Sequence, residues 1–184
     1  MDALTESPPM GRVLGIDPGL NVTGYGVIDF CQGTAAALVE AGVVRTRARG
    51  TLPERLAQLH AGIAEVIAAF APQVMALEQL YTHYQRPRTA TLMGHARGVI
   101  CLAAAQAGLS VFPYPATQVK RLLTGSGRAA KAQVQQAVGS ELRLATPAEP
   151  HDVADALAVA LCHGFVHHRR NRLFAGGLPQ RRSS

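Results

Sequence analysis

Four carboxylates in this chain stand where apolar runs meet a charge: Asp17 after VLGI, Glu78 after VMAL, and Asp152 and Asp155 within DVADALAVAL. The chain has 12 acids, and these are the ones set into hydrophobic sequence. Burying one carboxylate is costly, and gathering several raises the cost by mutual repulsion. A divalent cation removes that cost. An all-oxygen donor set of this kind suits Mg2+ or Mn2+, one or two ions per subunit. Two such ions about 4 Å apart activate water and neutralise a phosphodiester in line. Each acid also has a plainer reading: Asp17 as a turn residue before Pro18-Gly19, Glu78 as an arginine partner, Asp152 as a helix N-terminal charge. Asp155, set among alanines and Leu157, is the hardest to read that way. His151 adjoins the cluster as an auxiliary candidate, a ligand or general acid.

The complementary chemistry lies between Gln79 and Ser140, a stretch of 62 residues without an Asp or Glu. It holds Arg86, Arg88, Arg97, Arg121, Arg128, His83 and His95, and the chain's only two lysines, Lys120 and Lys131. Such a segment projects a positive field toward a polyanion. Lys120 and Lys131 are compact point charges suited to phosphates. An acidic centre beside a basic wall is the combination that nucleic-acid hydrolysis requires. The net charge of +6 is less informative. Five arginines follow His168, and without them 13 basic residues face 12 acidic ones.

The acids need elements that bring them together. Arg12–Asp17 reads as a buried strand and Pro18-Gly19 as a turn. Thr23–Phe30 and Ala37–Arg45 follow as a hairpin. Leu52, Leu56, Leu59, Ile63, Val66, Ile67 and Phe70 recur at helical spacing, and Pro72 ends that helix. Gln73–Glu78 is a further strand, Arg88–Ala107 a helix, and Leu109–Pro113 a strand. Two short helices are expected at Ala116–Leu123 and Ala130–Leu142. Pro150 opens a last helix to about His168. Strands first, then alternating helix and strand, give an α/β fold: a mixed β-sheet flanked by α-helices, with functional groups at strand ends. We expect a flexible leader over 1–11, one domain over 12–170 and a basic, disordered tail over 171–184.

Composition excludes other classes. With 184 residues the chain is too short for a two-domain kinase or a (β/α)8 barrel. Cys31, Cys101 and Cys162 form no CxxC pair, which argues against a disulfide framework or thiolate zinc site and fits a reducing cytoplasm. The uncharged stretch Gly98–Val119 is broken by Gly108, Pro113 and Pro115, so it is no membrane span.

VLGIDPGLNVTGYGVI, LEQLY, HARGV, QVKRLLTG, AKAQV and DVADALAVAL, in this order over about residues 12–165, resemble the RuvC family of Holliday-junction resolvases. GIDPG alone is unspecific, because actin-like ATPases share that turn, but the chain has no duplicated half. The resemblance implies an RNase H-like fold, a homodimer, and divalent-metal-dependent symmetric nicking of four-way DNA junctions that leaves 5′-phosphate and 3′-hydroxyl ends. It also implies partnership with the RuvA–RuvB branch-migration complex. The family's acids fall on Asp17, Glu78, Asp152 and Asp155, and its important lysines on Lys120 and Lys131. Its base-stacking aromatic falls on Tyr81, where a tyrosine replaces the more familiar Phe. The segment Thr82–Ala90, with Arg86 and Arg88 as DNA-contact candidates, is about one residue longer than the family pattern. Two alternatives stay open: a related nuclease for another branched nucleic acid or hybrid, and a non-catalytic junction-binding module. The apolar helix around Val99–Ala107 is the candidate dimer interface.

Overall fold

The computed structural model describes residues 9–31, 36–79 and 87–175. Ten elements follow in order: β1 (Pro9–Asp17), β2 (Val22–Cys31), β3 (Ala37–Arg45), α1 (Leu52–Phe70), β4 (Val74–Gln79), α2 (Pro87–Gln106), β5 (Ser110–Pro115), α3 (Ala116–Thr124), α4 (Lys131–Glu141) and α5 (His151–Ala175). The strands form one sheet in the order β3-β2-β1-β4-β5. β1, β2 and β3 pair antiparallel, whereas β1–β4 and β4–β5 are parallel. The expected mixed sheet is therefore present, with helices on both faces.

Side-chain alternation along the strands sorts the core into two layers. Leu14, Ile16, Val27, Met75 and Leu77 face α1 and α2, packing on Leu59, Ile63 and Ile100. Val13, Ile28 and Ala76 face the other way, against α5 and the smaller α3 and α4. α5 is buried continuously from Ala156 to Gly164 because the sheet lies on one side and α3 and α4 on the other. Ala156 and Ala160 in that stretch lie against Gly15 and let the helix sit close to β1.

Local chemistry explains the boundaries. At the start of α1 the Thr51 N–H donates to the Glu54 carboxylate at 2.8 Å, satisfying one end group of the helix. The helix ends at Ala71, in the left-handed conformation with φ 45°, directly before Pro72. Arg12 grips Asp29 with two bonds of 2.7 and 2.8 Å and also donates to the Phe70 carbonyl, tying β1, β2 and the end of α1 together. Two expected boundaries differ by more than two residues. β1 starts at Pro9 and not at Arg12, because Pro9 and Gly11 pair with Cys31 and Phe30. α5 continues past His168 to Ala175, so the helix takes in the first residues assigned to the tail. No helix among the described residues is long and apolar enough to cross a membrane.

Candidate active site

Asp17 closes β1 and Glu78 lies one residue before the end of β4, the parallel neighbour strand. Both keep the alternation of Val13 and Ala76, so both point to the α5 face. Asp155, in the second turn of α5, meets them there. The three acids line one cleft of about 240 Å3 with Lys120 of α3 and Lys131 at the start of α4. Val119, Val134 and Val159 supply its apolar wall.

The close approach of α5 depends on missing side chains. A Cβ on Gly15 would lie 2.1 Å from the Ala156 carbonyl oxygen, and one on Gly24 would lie 1.9 Å from that of Asp152. Only glycine lets the helix backbone rest directly on β1 and β2 at these two points. The turn after Asp17 is fixed as well. The wholly buried Thr23 hydroxyl donates to the Gly19 carbonyl at 2.6 Å and accepts from the Gly19 N–H at 3.2 Å. Thr46 of the following loop donates its hydroxyl to the Leu20 carbonyl.

The electrostatics match crowded acids. Burial, then the charges of Glu78 and Asp155, a hydrogen bond with Glu78 and the charge of Asp152, push the Asp17 carboxyl up to about 8. Glu78 is also raised, chiefly by burial, against the opposing pull of its bond to Asp17 and of Lys131 and Lys120. The Lys131 ammonium stands 3.6 Å from Asp155 Oδ2. Among the described residues no three His, Cys, Asp or Glu side chains are closed into a ready ion-holding group. Asp17 instead bonds to Glu78, and Lys131 leans on Asp155. The donor set nonetheless fits a hard divalent cation: it is all oxygen, and its mutual repulsion is what such an ion offsets.

Three of the four acids named from sequence thus share the cleft with both lysines. Asp152 is half-buried in the first turn of α5 and does not line the cleft, although its charge is felt at Asp17. His151 is exposed at the helix start and lies outside the cleft. Arg88 is exposed at the start of α2. Tyr81 and Arg86 lie outside the described residues. Sequence reasoning passed over Gly15, Gly24 and Thr23; glycines inside strand patterns were the available signal.

The sheet order, the helices on both faces and the acids at the ends of adjacent parallel strands define an RNase H-like fold with an acid-lined cleft. The comparisons agree. The model of the family described as crossover junction endodeoxyribonuclease RuvC matches residues 13–163. The chain belongs to this RuvC family. A RuvC of Rhodopirellula baltica is 59% identical over 154 residues, covering 84% of this chain and 86% of the relative. One of Halorhodospira halophila is 48% identical over 174 residues, covering 94% and 100%. Among solved structures, Thermus thermophilus RuvC in complex with a Holliday junction substrate superposes with a TM-score of 0.81 at 36% identity, covering 87% of this chain and 96% of that one. The yeast mitochondrial Holliday junction resolvase Ydc2, at 14% identity and a TM-score of 0.63, shares the fold over 94% of this chain and 87% of its own.

Proposed function

We propose that the chain is a structure-specific endonuclease that resolves four-way DNA junctions by paired nicks, with the cleft at Asp17, Glu78 and Asp155 as its active centre. The observation that carries this reading is the meeting of those three acids with Lys120 and Lys131 in one cleft, in a chain of the RuvC family. Asp17, Glu78 and Asp155 hold the divalent cation the family depends on, and Asp152 adds negative field from the rim. Mg2+, or Mn2+ in its place, is the ion this oxygen set suits. When bound, such an ion polarises water and offsets the charge of the scissile phosphate. In the hydrolysis, water oxygen bonds to phosphorus and the P–O3′ bond breaks. The departing O3′ takes up a proton, which leaves a 3′-hydroxyl and a 5′-phosphate. Lys120 and Lys131 hold the phosphates on either side, and Lys131, beside Asp155, also faces charge developing at the scissile group. Tyr81, three residues beyond Glu78, stacks on an unpaired base at the branch point, with Arg86 and Arg88 against the backbone.

A four-way junction presents two equivalent strands, so the working unit is a two-fold homodimer. The outer face of α2 offers it a surface. Ile100, Ala103 and Ala104 face inward, but Leu102 is 51% exposed. Gly98 and Gly94, one and two turns before Leu102, have open space above them. The interface lies along Gly94, Gly98 and Leu102, of which only Leu102 falls within Val99–Ala107, so the surface reaches further toward the start of α2. The dimer acts with the RuvA–RuvB branch-migration complex, in the cytoplasm.

The test is cleavage of a synthetic immobile junction beside plain duplex and an RNA–DNA hybrid, with Mg2+ or with chelator. Metal-dependent paired nicks confined to the junction, religatable by DNA ligase, are expected. Equal cutting of all three substrates would point to a broader nuclease. Binding without any scission would leave only a junction-binding module.

A further inference from the structure

Building on the active centre just described, we infer that Arg97 is a positioning residue for Glu78, standing in for a backbone donor that Pro18 cannot supply. In a parallel pair, alternate residues of one strand present both backbone groups to the same neighbour. The Gln73 N–H donates to the Arg12 carbonyl at 2.9 Å, so the even-numbered residues of β1 face β4. The β1–β4 pairing runs to Ile16 opposite Leu77 and stops there. The next donor in the even series belongs to residue 18, and the acceptor opposite it is the Glu78 carbonyl. Pro18 has no N–H. The β1–β4 ladder ends here, at Asp17 and Glu78, whose side chains line the cleft.

The abandoned carbonyl is not left bare. Arg97 reaches from α2 and donates Nη1–H to the Glu78 carbonyl at 2.5 Å. Arg97 is half-buried, and among the described residues no carboxylate stands within ion-pair distance of it. A partly desolvated guanidinium given over to one peptide oxygen is a charge-assisted bond, stronger than the ladder bond it replaces. It holds the last peptide of β4 from the side of the sheet opposite the cleft. The direction of the Glu78 side chain therefore depends on α2, while that of Asp155 depends on α5. Arg97 sits in HARGV, a motif the active centre otherwise leaves without a task. Its positive charge looks at first like part of the DNA-facing wall, but its bond turns it inward.

The experiment uses the full-length protein and the variants Arg97→Gln, Arg97→Lys, Pro18→Ala and Pro18→Ala/Arg97→Gln. Three quantities are read: Mn2+ binding without DNA, by electron paramagnetic resonance; junction affinity in chelator; and the Mn2+ concentration for half-maximal nicking. Arg97→Gln is expected to weaken Mn2+ binding and raise that concentration by about tenfold or more, with junction affinity kept within about twofold, since no phosphate contact is lost. Arg97→Lys falls between. Pro18→Ala returns a backbone N–H, so the double variant is expected to lose less than Arg97→Gln alone, a coupling that general destabilisation does not produce. Should Arg97→Gln fold poorly, Arg97→Lys and the double variant carry the comparison. Wild-type Mn2+ binding in Arg97→Gln overturns the inference. So does a loss confined to junction affinity, which makes Arg97 a phosphate contact, and so does strict additivity with Pro18→Ala. If the wild-type chain itself nicks no junction, the proposed function fails instead, and Mn2+ binding still decides the role of Arg97.

Discussion

Asp17 carries opposed demands. Its burial beside Glu78 and Asp155 raises its carboxyl to about 8, so the folded chain holds a proton there that the unfolded chain has released. Between about pH 4 and 8 the native state binds more protons at this site than the unfolded state does, and stability falls as pH rises. Holding a cation requires that same proton to leave. Asp17→Asn removes both effects. It is expected to abolish nicking while leaving junction binding intact, and to stabilise the metal-free fold by a few kcal/mol at pH 8.5 with little change at pH 4. Thermal melts at the two pH values, beside a cleavage assay, check this. A variant that melts like the wild type at both would show that the acids do not crowd one another. Lys131 differs. Its 3.6 Å contact with Asp155 is largely exposed, 69% on the lysine side, so Lys131→Met is expected to change stability by less than about 1 kcal/mol. If Lys131 faces the reacting phosphate as proposed, nicking is expected to fall by at least about tenfold. Single-turnover rates and a denaturant melt separate the two quantities.

At the scale of elements, the placing of α5 decides whether an active centre exists. Asp155 reaches Asp17 because the helix backbone lies directly on Gly15 and Gly24. A methyl at Gly15 has no room beside the Ala156 carbonyl oxygen, 2.1 Å from where it would stand, and neither the strand nor the helix backbone can give locally. Gly15→Ala is therefore expected to destabilise by roughly 2–4 kcal/mol, in the range of overpacked cores. It should also cut activity beyond the loss of folded protein, because α5 must lift and take Asp155 with it. Activity per folded molecule, measured well below the melting transition, makes the distinction. Full specific activity in a destabilised Gly15→Ala would mean that Asp155 does not depend on this contact.

The whole molecule adds symmetry and field. If two copies meet along the outer face of α2, then Leu102→Glu, at a 51% exposed position, is expected to shift the chain to monomer in sedimentation without changing its helical content. Paired nicking of one junction should then become single, uncoupled nicking. An unchanged sedimentation coefficient would move the interface elsewhere. Junction binding should weaken with salt in step with the number of phosphates held, and replacing Lys120 and Lys131 together should lower the slope of log affinity against log salt by about 2.

The chain itself determined a good deal. Hydrophobic spacing fixed α1 at Leu52–Phe70, because a period of 3.6 is written in the residues that must be buried. β3 at Ala37–Arg45 was legible from its β-prone residues instead, although none of them is fully buried. The acids were legible for the same reason: a carboxylate that interrupts an apolar run stands out against it. Tertiary structure decided which of them meet. Asp152 and Asp155 share a helix face by spacing, yet only Asp155 lines the cleft, because the register of α5 on two strand glycines is a fact of packing. The bond from Arg97 to Glu78 was also out of reach of the sequence, since it follows from which strand lies beside which and where a proline ends their pairing. Periodicity reports whether a residue is buried, but the partner it meets there is set by the folding of segments far apart in the chain.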